Sequence, residues 1–158
     1  MATTVERERK WLVDHLPELP HGGVHLAQGY VAIDGMVSLR VRDAGAKGRT
    51  MTLKGGTGAV RTELEWPIDA DEFDAAWALT GDRRVEKTRY RIDLGGHTAE
   101  LDVFEGRLAG LLLVEVEFDD DASLGAFEAP GWFGQEVTDD GRYTNAALAT
   151  DGLPDRPA

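Results

Sequence analysis

Val5–Val13 reads VERERKWLV, and alternate residues of an extended chain share a face. Glu6, Glu8 and Lys10 therefore fall on one side of the segment, with Arg7 and Arg9 turned outward on the other. The same parity recurs along the chain. Arg40 and Arg42, Glu63 and Glu65, Lys87 and Arg89, Glu100 and Asp102, and Glu115 and Glu117 are each two residues apart in stretches that read as strands. Their opposite faces are mostly apolar, as with Leu39 and Val41, Leu64 and Trp66, Leu101 and Val103, and Val114, Val116 and Phe118.

Working outward, extended segments are expected at Thr3–Val13, His25–Ile33, Met36–Arg42, Arg49–Lys54, Val60–Ile68, Arg83–Leu94, Thr98–Phe104 and Leu111–Phe118, about eight strands. Asp34-Gly35, Gly55-Gly56-Thr57-Gly58, Gly95-Gly96 and Glu105-Gly106 supply hairpin turns between them. Helices are expected near Asp71–Leu79, where Asp69 can cap the start, near Ser123–Phe127, and at Thr144–Thr150.

A charged strand face ordinarily points to water. Here, however, whole strands specialise as acidic or basic, with few uncharged polar residues between them. If the strands close into a barrel with these faces inward, acids and bases converge on one lumen, where a lower effective dielectric strengthens each interaction. Confined charges need partners. Paired carboxylates without thiolates suit hard oxygen-seeking ions such as Mg²⁺ or Mn²⁺. The guanidinium groups of Arg40, Arg42 and Arg89 match phosphate oxygens, and Lys10, Lys54 and Lys87 add compact positive charges. A metal-bound polyphosphate satisfies both sets.

Composition narrows the class further. The 158 residues are 42% hydrophobic and 29% charged, enough for one folded unit, expected over residues 1–150 with a frayed tail at 151–158. A formal net charge of −12 argues against a nucleic-acid backbone binder. The absence of cysteine excludes a disulfide framework. No apolar run approaches the roughly 18 residues of a membrane span, so a cytoplasmic protein without membrane partners is expected, as monomer or homodimer.

Taken in order, VERERKWLV, SLRVR, TLKGGTGAVRTELEW, VEKTRYRI, AELDVFEG, GLLLVEVEF and the ending EVTDDGRYTNAALA resemble the triphosphate tunnel metalloenzymes, the CYTH superfamily of class IV adenylate cyclases and thiamine triphosphatases. The first block resembles the ExExK signature of that superfamily, and the likeness runs from about Val5 to Ala149. It implies a mainly β fold, a closed eight-stranded antiparallel barrel with helices packed outside, whose tunnel binds a triphosphate with Mg²⁺ or Mn²⁺. By that resemblance Glu6, Glu8, Glu63, Glu65, Asp102, Glu115 and Glu117 would hold metal, with Glu100 a neighbour on the same face. Lys10, Arg40, Arg42, Lys54, Lys87 and Arg89 would clamp phosphate. The implied catalytic set is Glu6, Glu8, Lys10, Glu115 and Glu117. One metal would neutralise the triphosphate and a second would activate water, with no protein nucleophile.

Several residues are left open at this stage. Tyr30 is either a packed wall residue or a hydrogen-bond partner of phosphate or a tunnel acid, Arg61 and Arg91 are either tunnel or surface residues, and Tyr143 and Asn145 either close a tunnel mouth or pack outside. His15, His21, His25 and His97 show no ligand spacing and read as ordinary loop or surface residues. The short bacterial type that the chain resembles points to hydrolysis of inorganic triphosphate, with nucleoside or thiamine triphosphates as further substrates. A class IV-type adenylate cyclase and a non-catalytic polyphosphate- or nucleotide-binding module are the alternatives.

Overall fold

A computed structural model describes residues 2–156; Met1, at the head of the expected domain, and Pro157 and Ala158, at the end of the expected tail, lie outside the described residues. The strands are β1 (Ala2–Leu12), β2 (Val24–Asp34), β3 (Val37–Asp43), β4 (Arg49–Gly55), β5 (Val60–Ile68), β6 (Arg84–Asp93), β7 (Thr98–Phe104) and β8 (Leu112–Glu117). All pairings are antiparallel, and the sheet closes in the order β1-β5-β4-β3-β2-β6-β7-β8. The expected closed barrel is therefore present, with strand ends within one or two residues of the sequence reading.

Closure depends on β1. Its first half, Ala2–Arg7, pairs with β5, and its second half, Glu8–Leu12, pairs with β8. Glu6 and Glu8 straddle this change of partner, so one strand links the acidic residues of β5 to those of β8. At the β2–β3 turn, Gly35 takes φ +58°, a left-handed conformation that glycine adopts without a Cβ clash.

Apolar faces outside the barrel are covered by the first two helices and the loop after the second. Helix α1 (Ala70–Ala78) begins with a capping box in which the Asp69 carboxylate accepts from the Glu72 amide and the Glu72 side chain accepts from the Asp69 amide. It lays Phe73 and Ala76 against Val41, Met51 and Ile68. Helix α2 (Asp121–Ala126), capped by Asp120, lies with the following loop over Trp11, Leu101, Val114 and Val116. Phe127 and Phe133 pack against the Trp11 ring at 5.5 and 4.8 Å.

Behind that loop the chain returns along β1. Gly134 donates to the Leu12 carbonyl at 2.7 Å, and Val137 donates to the Lys10 carbonyl at 2.8 Å. A Cβ on Gly134 would sit 2.6 Å from the Leu12 carbonyl oxygen, so only glycine permits this approach. The return delivers helix α3 (Asn145–Asp151), whose start is capped by the Thr144 hydroxyl. α3 buries Leu148 and Ala149 with Tyr143 against Leu12, Val85, Phe104 and Leu113, residues with the same strand parity as the charged set. It therefore covers the lumen itself rather than the barrel's outer wall.

Candidate active site

On the basic side of the lumen, β6 and β7 place Arg89 opposite Asp102. Arg89 donates through Nε and Nη2 to the two Asp102 oxygens, each at 2.8 Å, the forked geometry that a guanidinium makes with a carboxylate. The fully buried Lys87 ammonium lies 2.7 Å from Asp102 Oδ2 and 3.0 Å from Asn145 Oδ1 on α3. Asp102 thus serves two cations, and their charges hold its carboxyl below the ordinary range against the opposing effect of burial. Burial pushes Lys87 down to about 8 despite Asp102. It also brings Arg42 down to about 9, with Arg40 and Arg89 adding like-charge repulsion.

Two polar residues aim the remaining arginines. Gln28 accepts from Arg42 Nε at 2.9 Å, while its own Nε2 has no hydrogen-bond partner although the residue is fully buried. Thr52 accepts from Arg40 at 3.3 Å and donates to Glu65 at 3.0 Å. Arg40 Nε is likewise buried without a partner. Unpaired donors on this wall face a region short of acceptors, a cost that an anion removes.

The acidic side is organised by β1. Glu8 lies opposite Glu117 and Lys10 opposite Glu115 across the β1–β8 pairing. Carboxylate oxygens of Glu6, Glu8 and Glu117 all lie within 4.8 Å of one another. Lys54 is the nearby cation, 2.7 Å from Glu6, 4.0 Å from Glu8 and 3.9 Å from Glu63. One ammonium cannot neutralise them all. Burial, followed by the Glu115 charge, pushes Glu8 well above the ordinary carboxylate range. Burial and Glu6 raise Glu63 to about 7, and burial with Glu100, Glu6 and Glu115 raises Glu117 to about 6. Glu6 is held low by Lys54 despite its burial, yet its Oε2, 2.7 Å from the ammonium, lacks a directed hydrogen bond.

Three converging carboxylates, two of them, Glu8 and Glu117, with raised proton affinity, fit a hard divalent cation. The donor set is all oxygen, which suits Mg²⁺ or Mn²⁺.

Glu115 sits where the arcs meet. It lies 3.6 Å from Lys10 and is held well below its ordinary range by Lys10, Arg89 and Lys87, which overcome its burial. Lys10 also donates to the Tyr143 carbonyl at 3.0 Å.

Three cavities open onto these groups. One cavity of 440 Å³ takes in Glu100, Glu117 and Arg91, and another of 250 Å³ takes in Arg42, Arg89 and Arg91. A third, 430 Å³, lies between the β2–β3 turn and α3 and includes Lys54 and Arg61.

The open residues now have positions. Tyr30 packs in the apolar cluster beneath α3. Arg91 is a rim residue, 61% exposed in its side chain and 3.2 Å from Glu100. Arg61 donates to the Gly58 carbonyl at the cavity beside Lys54. Tyr143 and Asn145 reach Lys10 and Lys87 from the C-terminal segment. Arg7 and Arg9 turn outward to Asp121 and Glu136. Gln28 and Thr52 were missed by the sequence reading; Thr52 shares parity with Lys54 and Gln28 lies opposite Arg42 in the β2–β3 register, and an uncharged polar residue carries no charge signal.

A closed antiparallel barrel with acids and bases segregated across its lumen defines a class of polyanion-binding tunnel. Residues 4–137 match the model of the CYTH domain, and the chain belongs to that family. It is 47% identical over 146 residues to an inorganic triphosphatase of Nitrosomonas europaea, covering 91% of this chain and 96% of the relative. It is 37% identical over 147 residues to an inorganic triphosphatase of Acetivibrio thermocellus, covering 90% and 92%. A crystal structure of an inorganic triphosphatase superposes with a TM-score of 0.68 at 46% identity, over 91% of this chain and 93% of the other.

Proposed function

We propose that the chain is a divalent-metal-dependent triphosphatase that hydrolyses inorganic triphosphate to pyrophosphate and phosphate. The observation that carries this reading is the division of one lumen into a cation-deficient acidic arc and an anion-deficient basic arc. The two similar proteins named inorganic triphosphatase support the same substrate.

In this reading Glu6, Glu8 and Glu117 hold metal, and Glu63, Glu65 and Glu115 extend the acidic wall. When bound, Mg²⁺ or Mn²⁺ supplies charge neutralisation and an acidified water. Asp102, with both oxygens taken by Arg89 and Lys87, fixes those two cations for substrate. Arg40, Arg42, Lys54, Lys87 and Arg89 bind phosphate oxygens, and Lys10, between Glu115 and the Tyr143 carbonyl, offers a donor to the departing pyrophosphate. The water oxygen bonds to the terminal phosphorus as the bridging P–O bond breaks. Glu117, at the open side of the lumen, is placed to take the proton that the water loses. Positioning and electrostatics suffice for such a transfer.

The test is product analysis on purified protein with tripolyphosphate, ATP and thiamine triphosphate, each with Mg²⁺ and with Mn²⁺. Pyrophosphate and phosphate from tripolyphosphate, abolished by chelator, is the expected result. Cyclic AMP from ATP as the main product, or tight binding without turnover, would overturn the assignment.

A further inference from the structure

We propose a second metal site on the outer wall of the barrel, formed by His25, Glu86 and Glu105 and suited to a borderline divalent ion of the Zn²⁺ class. It is independent of the lumen chemistry. One ligand atom from each residue lies within 4.8 Å of the other two, the mutual spacing from which three side chains can meet one ion.

The three residues come from separate elements. β2 and β6 pair with Ala27 opposite Glu86 and His25 opposite Thr88, so His25 and Glu86 share a face of the sheet. That face is the opposite of the one carrying Lys87 and Arg89. Glu105 follows β7 and is tied to the same place by its amide, which donates to the Glu86 carbonyl at 3.0 Å.

The carboxylate of Glu105 is aimed from behind. Thr88 donates its hydroxyl to Glu105 Oε1 at 2.8 Å, which leaves Oε2 directed to His25 Nε2 at 3.2 Å. A hydrogen bond that orients a ligand in this way is a regular companion of metal sites. His25 and Glu105 are 53% and 41% exposed in their side chains, open enough for an ion to enter.

Charge favours occupation. Among the described residues neither Glu86 nor Glu105 has a Lys or Arg ion pair. Two guanidinium groups border the cleft beside them, and both are engaged elsewhere. Arg84 stacks over Trp77 at 4.1 Å and donates to Thr80 and the Trp77 carbonyl, and Arg107 donates to carbonyls of α3. A neutral imidazole adds the nitrogen donor that distinguishes this set from the all-oxygen lumen, and selects Zn²⁺, Ni²⁺ or Co²⁺ over Mg²⁺. Sequence spacing conceals it, because β2 pairing with β6 brings together residues far apart in the chain.

The experiment follows the imidazole resonances of full-length protein by NMR as Zn²⁺ is added with Mg²⁺ in excess. The expected result is a selective shift of His25, with His15, His21 and His97 unmoved, and a melting temperature raised by Zn²⁺. His25→Ala should abolish the thermal effect and leave Mg²⁺-dependent turnover unchanged, and Thr88→Val should weaken Zn²⁺ binding about tenfold or more. An indifferent His25, equal shifts of all four histidines, or a thermal effect retained in His25→Ala would overturn the site.

Discussion

The two arcs of the lumen are both buried and both charged, yet they differ in how far the protein satisfies them. On the basic arc, Asp102 gives Lys87 and Arg89 a partner within 2.8 Å before any ligand binds, and the donors left unpaired are Arg40 Nε and Gln28 Nε2. On the acidic arc, Glu6, Glu8, Glu63 and Glu117 share little beyond Lys54, and proton affinity rises at three of the four. The difference separates charges that position one another from charges that wait for a partner. It also predicts opposite responses to neutralising one carboxylate on each side.

The largest effect is expected at Asp102. Asp102→Asn leaves the buried Lys87 without its carboxylate partner and Arg89 with only Glu100, 3.3 Å away, and should destabilise the fold by about 3–5 kcal/mol, read by denaturant unfolding. Glu117→Gln should not destabilise the metal-free protein; a loss like that of Asp102→Asn would erase the distinction. In turnover the order reverses. Glu8→Gln and Glu117→Gln should each lower kcat at least about a hundredfold with an unchanged circular dichroism spectrum, a loss of about 2.7 kcal/mol in transition-state stabilisation. Full activity in both would remove them from the metal set.

Arg42→Ala should raise KM about tenfold and change kcat less, the result expected if Arg42, aimed by Gln28, binds substrate alike in ground and transition states. The smallest effect concerns pH. Glu63 ionises less readily folded than unfolded, its carboxyl being raised from 4.5 to about 7. The stability it contributes is present while the group is protonated and is lost as pH rises through that window. Glu63→Gln should therefore leave the metal-free protein more stable than wild type above pH 7, by on the order of 1 kcal/mol after solvent screening, and the gap should vanish near pH 4. A gap independent of pH would show that Glu63 is not electrostatically strained.

The barrel was legible because charge parity marks every wall strand except β2 and β4, and because turn residues such as Asp34-Gly35 punctuate them. The division of labour among the carboxylates was not legible. Asp102 and Glu117 look alike in sequence, and only the β6–β7 and β1–β8 registers give one of them two cations and the other a cluster of acids. The place of α3 was equally hidden, since Leu12, Val85 and Leu113 read as strand ends until Leu148 covers them. Gln28 and Thr52 act through one and two hydrogen bonds respectively, which leave no trace in composition or period.

The most direct test of the lumen's two-sided chemistry is the coupling between its ligands. Mg²⁺ and a hydrolysis-resistant imido analogue of tripolyphosphate should be titrated calorimetrically, separately and together, with correction for the complex they form in free solution. Each should tighten the other's binding at least about tenfold, a coupling of ~1.4 kcal/mol. Binding of the analogue that is indifferent to Mg²⁺ would contradict it.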